Sequence, residues 1–163
     1  MQRIVVIGCP GSGKSALSRE LHNRTGIPLY HLDLMYWNAD KTTVEKPLFL
    51  ERLSFVLKND TWIIDGNYAS TMEMRIAACD TVILLDYPLD LCLNGINERR
   101  GKPRSDMPWI ETEADAEFID FIKTYAAQQK PGVLALLEKY RDKSIFIFKS
   151  REQADDFLKG IVV

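Results

Sequence analysis

Residues 8–15 read Gly-Cys-Pro-Gly-Ser-Gly-Lys-Ser, a complete G-x-x-x-x-G-K-S phosphate-binding loop. The backbone N–H groups of such a loop surround a phosphate group, and the N-terminus of the following helix adds partial positive charge. Lys14 would reach the β- and γ-phosphates of a nucleotide, and the Ser15 hydroxyl would ligate Mg²⁺. The full set expected to bind the nucleotide at this point is Gly8, Cys9, Pro10, Gly11, Ser12, Gly13, Lys14, Ser15 and Ala16.

The chain on either side of the loop has the pattern that this chemistry needs. Residues 4–7 are an apolar run typical of a buried strand, and residues 15–21 have the composition of a helix. Gly8, Gly11 and Gly13 allow the backbone to approach a phosphate closely. This context favours a phosphate-binding loop over a glycine-rich turn with an incidental lysine, and it predicts binding of a nucleoside triphosphate.

Two acidic residues follow two further apolar runs. Asp65 comes directly after residues 62–64, where a Walker B-type carboxylate would hold Mg²⁺ beside Ser15, although it could instead cap the helix predicted to begin near Ala69. Asp33 closes a predicted strand over 27–32, where it could accept a proton from an acceptor hydroxyl or orient that hydroxyl. An N-cap of the next segment is the alternative for Asp33.

The residues near Asp33 also have two possible roles each. His31, two residues earlier on the predicted strand, would share a face with Asp33, either as a hydrogen-bonding partner of the site or as a structural histidine. Trp37, Tyr36 and Met35 could line an acceptor pocket or pack into the core.

Cationic residues concentrate in residues 98–110, here called the basic loop, which Gly101, Pro103 and Pro108 interrupt. In a phosphotransferase such a loop closes as a lid, neutralises charge that develops in the transition state and excludes water. Its arginines, Arg99, Arg100 and Arg104, are candidate catalytic residues, and a merely solvated loop is the alternative. Arg151, after the last predicted strand, would lie beside the adenine.

Strand and helix patterns alternate along the chain. Strands are predicted over 4–7, 27–32, 62–64, 81–85 and 145–148. Helices are predicted between and after them over 15–21, 47–58, 69–78, 88–99, 118–125, 133–140 and 154–161. Pro131 and Gly132 are expected to separate the helix over 118–125 from the helix over 133–140. Near-continuously apolar strands separated by helices predict a three-layer α/β/α sandwich with a five-stranded parallel sheet. Ligands should then gather at the carboxyl ends of the strands.

Bulk composition sets further limits. The 163 residues predict one domain over 1–163, and 46% hydrophobic with 27% charged residues is typical of a soluble globular protein. A net charge of −2 argues against direct nucleic-acid or membrane binding, and no apolar run reaches the roughly 20 residues of a membrane span. Met1 leads straight into the first strand, and three cysteines without metal-ligand spacing favour a reducing cytoplasm. A monomer or a homodimer is expected.

Together these residues resemble the adenylate-kinase-like branch of P-loop kinases, in the P-loop NTPase superfamily. More closely, the chain is similar to the bacterial DNA topology modulation protein family of small kinases. The similarity spans nearly the whole chain and lies in the phosphate loop, residues 31–33 with Trp37, residues 62–68, Arg75, residues 82–86, Cys92-Leu93, residues 101–107 and Ser150-Arg151. The resemblance implies a P-loop kinase fold, ATP with Mg²⁺, an arginine-bearing lid, and an acceptor site between strands two and three that Arg75 would touch.

One departure leaves the acceptor open. Nucleoside monophosphate kinases carry Asp-Gly-Phe-Pro-Arg after the third strand, and that arginine grips the phosphate of the acceptor. Here the segment is Asp65-Gly66-Asn67-Tyr68, without the arginine. The expected activity is transfer of the γ-phosphoryl group of ATP to a nucleotide or to a hydroxyl metabolite of the shikimate or gluconate kind. The alternative is an ATP-binding regulator with little catalysis, linked to DNA topology.

Overall fold

Five short strands lie side by side in one parallel sheet with the first strand at its centre. The computed structural model describes residues 1–112 and 115–162. The strands are β1 (Arg3–Gly8), β2 (Leu29–His31), β3 (Trp62–Asp65), β4 (Thr81–Leu85) and β5 (Ser144–Phe148). Their spatial order is β2-β3-β1-β4-β5, and every neighbouring pair is parallel. The predicted five-stranded parallel sheet is confirmed.

Helices connect the strands and cover the sheet. In the described ranges they are α1 (Lys14–Thr25), α2 (Leu32–Tyr36), α3 (Lys46–Leu57), α4 (Ala69–Ala78), α5 (Leu89–Arg99), α6 (Ala116–Gln128), α7 (Lys130–Lys139) and α8 (Arg151–Lys159). Parallel strands require such crossover connections, because the chain must return to the same end of the sheet each time. None of these helices is long and apolar enough to cross a membrane.

Two hydrophobic cores lie on opposite faces of the sheet. Successive side chains of a strand point to opposite faces, so Ile4 and Val6 join one core and Val5 and Ile7 join the other. The first core contains buried residues of α1, α5, α6 and α8. The second contains buried residues of α3, α4 and α7. Helices on both faces make the predicted three-layer sandwich.

The register of the strands brings their carboxyl ends to one edge of the sheet. Asp65 pairs with Val6 of β1 and with His31 of β2, so it lies between the ends of these strands. On the other side, Gly8 pairs with Leu85 of β4. The phosphate-binding loop and the segments after His31 and Asp65 therefore start from neighbouring points.

The second strand is shorter than predicted. It ends at His31, because Leu32 already opens α2, and Asp33 lies in the first turn of that helix. The predicted sharing of one strand face by His31 and Asp33 is therefore wrong, since a period of two holds only within a strand.

The break between the sixth and seventh helices also differs from prediction. The chain breaks at Gln129, whereas Pro131 and Gly132 lie in the first turn of α7. Proline is tolerated there because the first N–H groups of a helix have no intrahelical partner. At the other end of the chain, Gly26 caps α1 with a φ of 73°, a conformation that favours glycine.

Candidate active site

The phosphate-binding loop runs from the end of β1 to the start of α1 and packs tightly against α5. Gly11 and Gly13 have φ values of 82° and 94°, a conformation that residues with side chains rarely adopt. A β-carbon on Gly11 would lie 2.1 Å from the carbonyl oxygen of Cys92, and one on Gly95 would lie 2.0 Å from that of Gly11. Gly95 is thus a determinant of the loop position that the sequence pattern alone did not identify.

Lys14 folds over its own loop. Its Nζ donates hydrogen bonds to the carbonyl oxygens of Gly8, at 3.0 Å, and Cys9, at 3.3 Å. Burial lowers the pKa of Lys14, and the negative charges of Asp65 and Asp33 partly offset this effect. The ammonium group therefore lies within electrostatic range of both carboxylates singled out in the sequence.

Asn67 ties the loop after β3 to the start of the phosphate-binding loop. Its Nδ2 donates to the carbonyl oxygen of Gly8 at 2.7 Å, and its Oδ1 accepts from the Gly8 N–H at 3.2 Å. The sequence indicated no individual role for Asn67. The only signal was its place two residues after Asp65, at the end of a strand.

Asp65 is buried at the end of β3, where its Oδ2 lies 2.8 Å from Nδ1 of His31. The N-cap of α4 is Tyr68, and no side chain bonds to the end of that helix, so Asp65 does not act as its cap. His31 is therefore the hydrogen-bonding partner of a site carboxylate, and the pair joins the ends of β2 and β3.

Asp33 receives a hydrogen bond from the Tyr68 hydroxyl, with 2.5 Å between that oxygen and Oδ1. Burial raises the pKa of Asp33, and this hydrogen bond and the charge of Lys14 only partly offset the rise. The N-cap position of α2 is held by His31, so Asp33 is not the cap. Asp33 therefore keeps its proton to a higher pH than an ordinary aspartate does.

The large side chains that follow Asp33 divide between the core and the cavity. Tyr36 and Met35 pack against the second core, whereas Trp37 lines the cavity described below. Trp109, from the basic loop, meets Trp37 edge to face, with 5.3 Å between the ring centroids. Both tryptophans thus contribute to one wall of the cavity.

Internal carboxylates balance the arginines of the basic loop. Arg104 binds Asp106 through two parallel contacts, Nε to Oδ1 at 3.0 Å and Nη2 to Oδ2 at 2.7 Å. Oε2 of Glu111 lies 3.2 Å from Nη1 of Arg104 and 3.3 Å from Nε of Arg99. Two of the three predicted arginines are therefore held together on one side of the cavity.

Arg100 is placed differently from the other two. It is exposed, and its Nη2 donates to Oδ1 of Asn97, one turn back along the chain, at 3.1 Å. It still contributes to the cavity wall.

Two contacts hold the basic loop against α1. The Ser15 hydroxyl donates to Oδ2 of Asp106 at 2.8 Å, and Nη1 of Arg19 donates to the Ser105 hydroxyl at 2.9 Å. Burial by itself would raise the pKa of Asp106, but the bonds and charge of Arg104 and the Ser15 hydroxyl hold that pKa well below its usual range. The sequence indicated no individual role for Asp106; the signal was an acid among the cations of the basic loop.

Arg75, which the resemblance placed near an acceptor, is fully buried and is not among the residues that line the cavity. Its guanidinium group binds backbone carbonyls of the loop after β3 instead. Nη1 donates to Gly66 at 2.9 Å, and Nη2 donates to Asn67 and, at 3.3 Å, to Tyr68. Arg75 therefore holds in place the loop that carries Asn67 and Tyr68.

Replacing Arg75 by alanine is expected to lower the free energy of unfolding by about 1–3 kcal/mol or more, because buried carbonyl groups would lose their hydrogen-bond donors. Urea denaturation measures this change. The matched control is Arg141→Ala, which removes an exposed partner of Glu138 and should cost under about 0.5 kcal/mol. Equal losses in the two variants would contradict the anchoring role of Arg75.

A cavity of about 1550 Å³ opens at the carboxyl edge of the sheet. A site for one small molecule measures roughly 300–1,000 Å³, so this cavity has room for two ligands. The cavity brings together most of the residues predicted from sequence: Pro10, Gly11, Ser12, Gly13, Lys14, Ser15, Ala16, Asp33, Asp65, Arg99, Arg100, Arg104 and Arg151. Gly8 and Cys9 lie behind the wall, and Cys9 packs into the first core.

The polar atoms of the cavity suit a nucleotide and Mg²⁺. Arg99 and Arg104 line the cavity and are paired with Glu111, so their guanidinium groups could bind phosphate oxygens in place of that carboxylate. Ser15, Asp65 and Asp106 offer the hard oxygen ligands that Mg²⁺ prefers. No three acidic, histidine or cysteine side chains within 1–112 and 115–162 form a complete metal cluster.

Fold and loop together define the class: the chain has the P-loop kinase fold. Similar solved structures include a shikimate kinase from Bacteroides thetaiotaomicron (TM-score 0.59, 18% identity, 97% of this chain and 94% of that one). A shikimate kinase from Aquifex aeolicus is similar with a TM-score of 0.55 and 18% identity, over 98% of this chain and 92% of that one. A sugar kinase from Janibacter sp. is similar with a TM-score of 0.57 and 13% identity, over 98% of this chain and 91% of that one.

Comparisons of the sequence itself do not identify a family for this chain. No protein-family model matches the chain, and no curated protein sequence matches it. The P-loop kinase fold expected from the sequence is confirmed, whereas the resemblance to the DNA topology modulation family finds no support in these comparisons.

Proposed function

We propose that this protein is a kinase that transfers the γ-phosphoryl group of ATP to a small-molecule acceptor. One observation carries the proposal: Lys14 and Ser15 of the phosphate loop line the same cavity as Asp33 and the arginines of the basic loop. Phosphoryl transfer depends mainly on positioning and on stabilisation of charge, and these groups supply both. The cavity also has room for a second ligand beside the nucleotide.

In the proposed reaction the acceptor oxygen forms a bond to the γ-phosphorus while the bond from that phosphorus to the bridging oxygen breaks, releasing ADP. Asp33 takes the proton of the acceptor hydroxyl or orients it. Lys14 binds the β- and γ-phosphates, and Arg99, Arg100 and Arg104 neutralise the charge that spreads over the transferred group. Arg151 is proposed to lie beside the adenine.

Mg²⁺ would be held by Ser15 with the carboxylates at the cavity wall, of which Asp65 was predicted from sequence. When bound, the ion would neutralise the negative charge of the phosphates. In this proposal the basic loop acts as the lid over the phosphates.

The acceptor is proposed to be a hydroxylated metabolite rather than a nucleotide. Arg75 follows Asp65 in the chain, but its guanidinium group is committed to backbone carbonyls and is not available to grip an acceptor phosphate. Trp37 and Trp109 form an aromatic wall near Asp33, suited to the apolar face of a small ring. The similar structures are named as shikimate and sugar kinases, and both named acceptors carry hydroxyl groups.

The proposal is tested by incubating the purified protein with Mg²⁺ and γ-labelled ATP against a panel of hydroxylated acids, sugars, nucleosides and nucleotides. Transfer to one class of acceptor, lost in Asp33→Asn and Lys14→Ala, is the expected result. ATP binding without transfer to any acceptor would contradict the kinase proposal and favour a nucleotide-binding regulator.

The pH dependence of transfer should report the ionisation of Asp33. Burial raises its pKa above the ordinary 3.8, so kcat/KM should fall on acidification at a pH above the usual carboxyl range. Asp33→Asn should lower kcat/KM by about 10²–10⁴-fold and abolish this acid limb. Tyr68→Phe removes a hydrogen bond that lowers the pKa, and should shift the limb to higher pH.

The matched control for this profile is Asp120→Asn, an exposed acid on α6 that should leave both the rate and the limb unchanged. An acid limb that persists unaltered in Asp33→Asn would contradict the assignment of the proton to Asp33.

A further inference from the structure

We propose that Asp106 is the carboxylate partner of Ser15 and that it couples closure of the basic loop to Mg²⁺ binding. Asp106 would be a positioning residue, acting through the Ser15 hydroxyl rather than on the phosphates themselves. The inference rests on the proposed function, because it concerns the Mg²⁺ that accompanies ATP. It also changes the sequence-based expectation, in which Asp65 alone served this purpose.

The hydrogen bond between the two residues carries the argument. A serine hydroxyl has one proton and two lone pairs, and in this structure the proton is donated to Oδ2 of Asp106 across 2.8 Å. Because the proton is committed, the lone pairs of Ser15 are free to ligate a cation. Oδ2 of Asp65 is instead bonded to His31, and no Ser15–Asp65 hydrogen bond occurs in the described structure.

Asp106 is well fixed for this task. Only 5% of the residue is exposed, and both of its carboxylate oxygens bind Arg104. Because its Oδ2 lies 2.8 Å from the Ser15 hydroxyl, the Asp106 carboxylate also brings negative charge next to the position where a cation at Ser15 would lie. Asp106 thereby favours the cation twice, by orienting the hydroxyl and by its own charge.

The same contact connects the metal position to the basic loop. Asp106 and its neighbour Ser105 hold the loop on α1 through Ser15 and Arg19. Arg104 binds Asp106 through Nε and Nη2 and also lines the cavity, so the Ser15–Asp106 contact fixes this arginine at the cavity wall as well. If a cation at Ser15 strengthens the Ser15–Asp106 contact, then loop closure must strengthen cation binding by the same factor, because such coupling is reciprocal.

The test measures the affinity for a non-hydrolysable ATP analogue by calorimetry, with and without Mg²⁺. The ratio of the two affinities is the Mg²⁺ stimulation. We expect Asp106→Asn to reduce this stimulation by about tenfold or more, since a hydrogen bond to a charged group is lost. The double variant Ser15→Ala with Asp106→Asn should lose no more than Ser15→Ala alone.

A second readout follows the loop directly. Tryptic cleavage after the exposed Arg100 should be slowed by Mg²⁺ with the analogue in the unaltered protein and not in Asp106→Asn. Asp120→Asn is the control for both measurements, and thermal melting verifies that the variants are folded.

Each outcome separates this inference from the proposed function. Unchanged Mg²⁺ stimulation in Asp106→Asn would overturn the inference while leaving nucleotide binding intact. Tighter Mg²⁺-nucleotide binding in Asp106→Asn would also overturn it, because Asp106 would then compete with the metal for Ser15. Failure of the unaltered protein to bind the analogue at all would instead overturn the proposed function.

Discussion

Replacing Lys14 by alanine is expected to lower kcat for phosphoryl transfer by about a hundredfold to a thousandfold or more, the usual effect of removing one positioned donor from a transition state. Lys14 is half-buried at the loop, and among the described residues its Nζ bonds to the neutral carbonyls of Gly8 and Cys9. Phosphate oxygens are stronger partners for an ammonium group than neutral carbonyls, so the charge can move to the nucleotide. Transfer of label from γ-labelled ATP measures the loss.

Two controls make the Lys14 result specific. Lys58→Ala changes an exposed lysine at the end of α3 and should leave kcat unaltered. Thermal melting of Lys14→Ala separates loss of chemistry from loss of fold, because the substitution also removes two hydrogen bonds of the loop. Turnover equal to that of the unaltered protein would contradict the role of the phosphate loop in the reaction.

Replacing Gly95 by alanine is expected to destabilise the fold and to weaken nucleotide binding by about tenfold or more, although alanine is the better helix former. Helix propensity alone would favour alanine by about 0.5–1 kcal/mol. A β-carbon at position 95 would lie 2.0 Å from the backbone oxygen of Gly11, however, and backbone cannot rotate away as a side chain can. The helix and the phosphate loop must separate, and such overpacking costs about 1–3 kcal/mol.

Gly132→Ala is the matched control, because Gly132 is also helical and no described atom lies within 4 Å of its added β-carbon. That variant should be more stable by about 0.4–1 kcal/mol and should bind nucleotide normally. Urea denaturation and calorimetry with the ATP analogue measure both effects. A Gly95→Ala protein that is as stable as Gly132→Ala and binds as tightly would show that α5 does not position the loop.

Features that neighbouring residues determine were predictable from the sequence. The phosphate-binding loop is eight consecutive residues, and the apolar runs that form β1, β3 and β4 show themselves by composition alone. Once the sheet is parallel, the carboxyl ends of its strands must share an edge, so Asp33 and Asp65 could be placed near Lys14 without coordinates. The end of β2 was misplaced because a three-residue strand carries too little pattern to separate it from the helix that follows.

Contacts between distant parts of the chain were decided by the tertiary structure alone. Ser15 and Asp106 are 91 residues apart, and nothing in the local pattern of either residue indicates that one donates to the other. Arg75 shows the same limit: its charge suggested a ligand contact, but the fold buries it against three backbone carbonyls. By itself, therefore, the sequence determined the phosphate loop, the layered sheet and the edge where polar residues gather. The pairing of those residues depended on how the helices and loops pack, because a hydrogen bond is specified by position in space and not by distance along the chain.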